Sequence, residues 1–229
     1  MNKQPIKTEP INNLKFQKWL MWVEEIRQDT ETMLLNRAIY NRYLEIIKTN
    51  KDIRQPSDFH EWTVRNYGSY IVMAIRRQLD SDKDVISLKR LLMELGQNPQ
   101  LLTKKWFRTL YSDIPGNFPL PAESFADGDF EKFAGNLEYF DPSVAIIDLK
   151  KLDILGKNIT RYANKQIAHR TKVKSPLTFS EINNFFTEFE TLVKKYILLF
   201  TASGYDSLTP VFQYDWEEIF TKIWIKKNT

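Results

Sequence analysis

Apolar residues recur every three or four positions along most of the chain, which is the spacing of helices that bury one face. The first such run extends from Asn13 to about Thr49, either as one helix or as two collinear helices divided near Asp29. Ser57 or Asp58 is suited to cap the second helix and Ser87 to cap the third, because serine and aspartate favour the N-cap position. Gly96 is suited to end the third helix.

The middle of the chain contains the least regular pattern. Pro99 begins a further helix, after which residues 112–129 hold three prolines and two glycines without a clear period. Such a stretch predicts a long loop, followed by a short helix from about Asp129 to Phe140. A long helix is then predicted to begin at Asp141, with Pro142 in its first turn, and to end near His169.

The strongest amphipathic pattern runs from Thr178, in a capping box, to Phe200. Asp215 is predicted to cap one more amphipathic helix. No segment shows the alternation of a β-strand, so the pattern predicts an all-α bundle. We divide the chain into a flexible arm (residues 1–12), a helical domain (residues 13–200), and a C-terminal loop with an amphipathic helix (residues 201–229).

The composition excludes several classes of site. The chain has no cysteine and two histidines, so it predicts no disulfide, no thiolate zinc site, no metal site and no cofactor. Its first residues lack the apolar core of a signal peptide, and no apolar run reaches the roughly 18 residues of a membrane helix. We therefore expect a cytoplasmic protein without a membrane partner.

Positive charge is concentrated in one segment. The formal net charge is only +4, but the segment from residue 161 to 174 holds basic residues and no acid. These basic residues are Arg161, Lys165, Arg170, Lys172 and Lys174. Residues 161, 165 and 169 are each four apart, so an α-helix places Arg161, Lys165 and His169 on one stripe. A histidine among cations suits chemistry on a polyanion, whereas a solvated helix end is the simpler alternative.

Two stretches carry a family resemblance. Residues 74–95, AIRRQLDSDKDVISLKRLLMEL, and residues 162–169, YANKQIAH, together resemble the HEPN superfamily and its bacterial abortive-infection group. The family typically has Tyr-Arg-Asn-Lys followed by Ala-His in the second stretch. The resemblance covers about residues 13–200.

The resemblance implies a fold and an activity. It implies an HEPN-like helical bundle, here with a long loop rich in proline and glycine and an appended C-terminal helix. Active members dimerise and cut RNA without metal, so it implies a metal-independent endoribonuclease of phage defence or a toxin system. His169 matches the family histidine, which would transfer a proton near neutral pH. Asn164 matches the polar residue that often follows the family arginine.

The sequence departs from the family at the arginine, since Ala163 stands in its place. Either Arg161 or Lys165 supplies the charge, or the protein is a non-catalytic dimer that binds RNA or protein. Arg76 and Arg77 could line a phosphate cleft, or one could pair with Asp80 while the other is solvated. The candidate catalytic residues are thus His169, Asn164 and Arg161. The candidate RNA-binding residues are Lys165, Arg170, Lys172, Lys174, Arg76 and Arg77. The expected partners are RNA, a second copy of the chain, and an antitoxin or other defence protein.

Overall fold

A computed structural model describes residues 13–112, 122–169, 171 and 176–222. The predicted arm, the basic residues Arg170, Lys172 and Lys174, and residues 113–121 of the proline-containing loop lie outside these residues. Seven α-helices form the described part of the chain: α1 (Leu14–Thr49), α2 (Asp58–Gln78), α3 (Leu88–Gln97), α4 (Lys104–Ser112), α5 (Ala122–Ala134), α6 (Pro142–Tyr162) and α7 (Phe179–Thr201). A π-helix (Ala163–Ala168) continues α6, and short 3₁₀-helices span Pro99–Leu101 and Trp216–Thr221. No β-strand occurs within the described residues, which confirms the all-α prediction.

Helix α1 is a single helix. Asp29 and Thr30 do not break it, because both are used in hydrogen bonds. Thr30 is fully buried and its hydroxyl donates to the Ile26 carbonyl of the preceding turn at 2.6 Å. Asp29 accepts a hydrogen bond from the Gln78 amide at 2.8 Å, and this bond joins α1 to the end of α2.

The core of the bundle is rich in aromatic residues. Helix α7 contributes the largest share, with Phe185, Phe186, Phe189, Tyr196 and Phe200 all nearly fully buried. Phe200 lies within 6.5 Å of the Trp19 ring and 6.4 Å of the Trp106 ring, measured between ring centroids. The capping box at Thr178 and Glu181 is formed as predicted and fixes where α7 begins.

Helix α5 is the clearest difference from the sequence-based prediction. The sequence predicts a loop to residue 129 and a helix from about Asp129 to Phe140, but the helix spans Ala122–Ala134. Gly128 does not interrupt it, because Ala126, Phe130 and Phe133 are buried at helical spacing around that glycine. The helix ends at Gly135, whose φ of +53° suits a residue without a Cβ.

The predicted C-terminal helix begins as a tighter element, and residues 223–229 lie outside those that the structure describes. The chain forms a 3₁₀-helix from Trp216 to Thr221, capped by Asp215, whose side chain accepts from the Glu217 amide at 3.0 Å. Glu217 also forms a bidentate ion pair with Arg42 of α1, at 2.8 Å for each bond. This ion pair holds the segment against α1.

Helices α2 and α6 approach each other closely at Gly156. A Cβ built on Gly156 would meet both methyl groups of Leu79, the residue that caps α2. A glycine in the middle of a helix is unfavourable in itself, by about 1 kcal/mol relative to alanine. Its presence here lets the end of α2 lie directly on α6.

Candidate functional site

The candidate motif lies on a π-helix at the end of α6. Asp141 caps α6 by accepting from the Ser143 amide at 2.8 Å. The backbone then changes from α to π at Ala163, and the π-helix ends at His169. Thr171 closes this end, because its amide and its hydroxyl both donate to the Lys165 carbonyl, at 2.6 and 3.0 Å. Single π-helical turns within α-helices are rare and often lie at functional sites.

The π-helix changes the backbone bonding at the motif. The sequence-based stripe of Arg161, Lys165 and His169 rests on α-helical spacing throughout, whereas the segment from Ala163 to Ala168 is π-helical. A π-helix pairs the backbone groups of residues five apart, and its turn is wider than an α-turn, so both Asn164 and Lys165 lie about one turn before His169.

Ala163, at the position of the family arginine, is fully buried. Its exposed fraction is 0 %, and it belongs to the hydrophobic core. An arginine here would place a charged side chain among apolar residues, at a large desolvation penalty. In this protein the side chain at position 163 packs in the hydrophobic core.

Arg76 brings a guanidinium group to the motif from another helix. Its Nε donates a hydrogen bond to Oδ1 of Asn164 at 2.8 Å, although the two residues are 88 positions apart. Arg76 is half-buried, while Asn164 is exposed. Arginine has donors only, so the amide must turn its oxygen toward Arg76 and its nitrogen away from it.

His169 is exposed at the end of the π-helix. It makes no hydrogen bond, ion pair or ring contact with any other residue that the structure describes. An exposed imidazole of this kind is free to contact a ligand.

The remaining described candidates are Arg161, Lys165 and Arg77. Arg161 is exposed near the start of α7. The pKa of Glu181 is lowered there, mainly by a hydrogen bond from Asn158 and then by those from Thr178, and to a smaller degree by the Arg161 charge. Lys165 is exposed. Arg77 forms an ion pair with Asp29 at 3.5 Å, not with Asp80. Among the described candidates, the structure thus joins Arg76 to Asn164 and leaves Arg161 beside Glu181.

Within residues 13–112, 122–169, 171 and 176–222, no group of three histidine, aspartate or glutamate side chains is arranged to hold a metal ion. In that same part of the chain, no helix combines the length and apolar character needed to cross a bilayer.

An aromatic cavity on another part of the bundle was not predicted from the sequence. It has a volume of about 390 Å³ and lies between α1, α2 and the 3₁₀-helix at Trp216–Thr221. Its aromatic lining consists of Tyr40, Tyr43, Phe59, Trp62, Tyr67, Tyr70, Trp216 and Phe220. The only sequence signal was the aromatic content of α2 and of the C-terminal segment, and helical spacing assigned most of it to the core.

His60, in the first turn of α2, has a structural role beside this cavity. Its Nδ1 lies 2.6 Å from the Tyr43 hydroxyl and its Nε2 lies 2.8 Å from the Ile53 carbonyl. Since a carbonyl only accepts, Nε2 carries the proton and Nδ1 accepts from Tyr43 in the neutral ring. The histidine ties the loop after α1 to both helices.

The family model HEPN_AbiU2, described as AbiU2, matches residues 16–219, which is most of the chain and includes both stretches that carry the resemblance. Comparisons with curated proteins and with solved structures give no match.

Proposed function

The chain belongs to the AbiU2 family of HEPN abortive-infection proteins, and from this premise we propose that it acts on RNA as a metal-independent endoribonuclease. The observation that carries the proposal is the arrangement at the π-helix. An exposed histidine lies one π-turn after Asn164, and Asn164 holds the guanidinium of Arg76. An imidazole, an amide and a guanidinium are groups that bind and polarise phosphates.

The reaction needs no group beyond those of the protein and RNA. The ribose 2′-oxygen forms a bond to the adjacent phosphorus while the bond from phosphorus to the 5′-oxygen breaks. The 2′-hydroxyl loses its proton to a base, and the departing 5′-oxygen gains a proton from an acid. The products are a 2′,3′-cyclic phosphate and a 5′-hydroxyl. His169 performs one of the two proton transfers in this proposal.

A homodimer would complete the acid and base pair. Each chain contributes one exposed histidine at the motif, whereas the reaction has two proton transfers. A closed two-fold pair is the commonest form of protein assembly, and it would bring two copies of His169 to one cleft. In this proposal the assembly acts in phage defence or a toxin system, with an antitoxin or other defence protein as a further partner.

The test is cleavage of a single-stranded RNA in the presence of a chelator, with mapping of the product ends. We expect wild-type protein to give cyclic-phosphate ends, and His169→Ala to lower the rate by about 10²–10⁴-fold, the usual contribution of a general acid or base. His60→Asn is the matched control, since it removes the other histidine from a structural site. It should retain cleavage at temperatures where circular dichroism shows it folded. Cleavage that survives in a folded His169→Ala variant, or that needs a divalent cation, would sink the proposal.

A non-catalytic binding module is the second candidate, and the buried Ala163 favours it. In that case the dimer binds RNA or a protein without cutting. RNA affinity would then fall steeply with salt concentration, as counterion release requires. No cleavage product would form at any pH.

A further inference from the structure

The side chain that approaches the motif from outside α6 is that of Arg76. In the family pattern the arginine lies on the same helix as the histidine, but here the corresponding residue is a buried alanine. Arg76 comes from the last turn of α2, and its guanidinium is bonded to the residue directly after that alanine. The positive charge missing from position 163 is thus present beside position 164.

The guanidinium keeps most of its donors available. Arginine carries five N–H groups in a planar fork, and the bond to Asn164 uses the one on Nε. The four N–H groups on the two terminal nitrogens make no hydrogen bond to any residue in the described part of the chain. Because Asn164 accepts through its oxygen, its NH₂ group is also left to donate. The pair presents donors only, which suits the non-bridging oxygens of a phosphate.

The last turn of α2, from which Arg76 projects, is held by contacts with α1, α3 and α6. Gln78, two residues later, donates to Asp29 of α1 at 2.8 Å and accepts from the Leu88 amide at 3.1 Å. Leu79 packs against Gly156 of α6. A group that stabilises a transition state must be held before the reaction begins, and these contacts hold the end of α2 against α6 and α3.

The two neighbouring arginines have different environments. Arg77 is paired with a carboxylate, that of Asp29, at 3.5 Å. Arg76 forms no ion pair with a carboxylate within the described residues, so its charge is not neutralised by that part of the protein. Of the two, Arg76 is the one placed to bind an anion.

We propose that Arg76 replaces the missing family arginine, binding the scissile phosphate from α2 while Asn164 orients its guanidinium. The inference rests on the proposed action on RNA. It makes Arg76 a catalytic residue, which contacts the phosphate oxygens and transfers no proton, and Asn164 a positioning residue.

The first test is the cleavage rate of Arg76→Ala and Arg76→Lys beside wild type. Loss of one preorganised donor group to the developing charge lowers kcat by about 10²–10³-fold, so we expect that loss for Arg76→Ala. Arg76→Lys should recover only part of it, because lysine is a point charge without the planar fork. Arg65→Ala is the matched control: Arg65 lies on the same helix, is exposed and pairs with Glu61, and its loss should leave kcat unchanged.

Chemical rescue separates a catalytic role from a structural one. Guanidinium ion, at concentrations too low to unfold the protein, should restore part of kcat to Arg76→Ala and have no such effect on wild type. A purely structural arginine would not be replaced by a free ion. If Arg76→Ala retains wild-type kcat, or loses activity that guanidinium does not restore, the inference is overturned.

Measuring RNA affinity tests the role of Arg76 independently of the proposed cleavage. In the His169→Ala background, affinity is measured against salt concentration for single-stranded RNA, with and without Arg76→Ala. Loss of one phosphate contact should lower the slope of log K against log salt by about 0.7. An unchanged slope overturns the role of Arg76 even if wild type cleaves. A lowered slope with no cleavage by wild type supports the phosphate contact and rejects the nuclease.

Discussion

At the scale of single residues, Ala163 shows how burial limits what a motif position can hold. With an exposed fraction of 0 %, it fills a space among core side chains in which an arginine would be strongly disfavoured. Restoring the family residue by substitution would therefore disturb packing before it could improve chemistry. The sequence revealed that the residue differs from the family pattern, but only its surroundings show that the position faces inward.

Asp148 gives a stability prediction at this scale. It is 6 % exposed on α6 and accepts hydrogen bonds from Lys195 at 2.7 Å and from the Tyr196 hydroxyl at 2.8 Å, both on α7. Asp148→Ala leaves a cation and a buried hydroxyl without an acceptor. We expect it to lower the free energy of unfolding by about 3 kcal/mol, the low end for a broken buried pair, because Lys195 is partly exposed.

Urea denaturation measures this loss, and Asp153→Ala is the matched control. Asp153 also lies on α6 and pairs with Lys89, but it is half exposed, so its loss should lower the free energy of unfolding by less than about 1 kcal/mol. If the two substitutions lower the free energy of unfolding equally, the Asp148 contacts do not stabilise the packing of α6 on α7.

Tyr67 gives a prediction for alkaline pH. Burial raises its pKa to about 12, an effect that the nearby Arg37 charge partly opposes. Its pKa in the unfolded chain is about 10, so the folded state resists ionisation. Its contribution to stability is therefore complete below pH about 10 and is lost as pH rises toward about 12.

The measurement is the free energy of unfolding from pH about 9 to about 12. Tyr67→Phe keeps the ring that stacks on Tyr40 at 3.8 Å between centroids but cannot ionise, so its alkaline loss should be smaller than that of wild type. Tyr214→Phe, at a position 87 % exposed, should follow the wild-type curve. If the free energy of unfolding of Tyr67→Phe falls with pH in parallel with that of wild type, the raised pKa of Tyr67 is contradicted.

At the scale of elements, hydrophobic periodicity and capping residues were sufficient for most helices. Ser57, Ser87, Asp141 and Thr178 each cap a helix for which the sequence offers them as caps, and Asn13, where the first helical pattern begins, caps α1. Periodicity was insufficient at α5, because Gly128 and its acidic neighbours resemble a turn and only burial of the surrounding aromatic residues reveals a helix. It was also insufficient at the π-helix, because the same residue types form α- and π-helices.

A pair of glycines tests the contact between α2 and α6. Gly68 lies in α2 with nothing within 4 Å of a built Cβ, so Gly68→Ala should raise the free energy of unfolding by about 0.5–1 kcal/mol. At Gly156 the same change brings the Cβ against the Leu79 methyl groups. Crowding of a packed site costs about 1–3 kcal/mol, so we expect Gly156→Ala to lower the stability.

Thermal and urea denaturation of both variants provide the comparison. Because the two substitutions have the same helix propensity, the difference between them reports the contact alone. If Gly156→Ala is as stable as Gly68→Ala, Leu79 rotates away freely and the end of α2 is not fixed by this contact.

At the scale of the whole molecule, the bundle brings together residues that are far apart in the sequence. Arg76 and Asn164 are 88 positions apart, and Arg42 and Glu217 are 175 apart. Neither pairing follows from local pattern, because each depends on how whole helices pack. The same holds for the aromatic cavity, which combines two helices with the C-terminal segment. The sequence could thus predict the helices and name Arg76 as a candidate, but not that Arg76 is hydrogen-bonded to Asn164.

The π-helix has a consequence for changes in the length of this segment. One residue advances an α-helix by about 100°, so an added or lost residue would ordinarily turn the following side chains to another face. A backbone that can switch between α and π pairing absorbs such a change locally. We therefore expect that deleting one residue within Ala163–Ala168 converts the segment to an α-helix and leaves His169 facing in nearly the same direction.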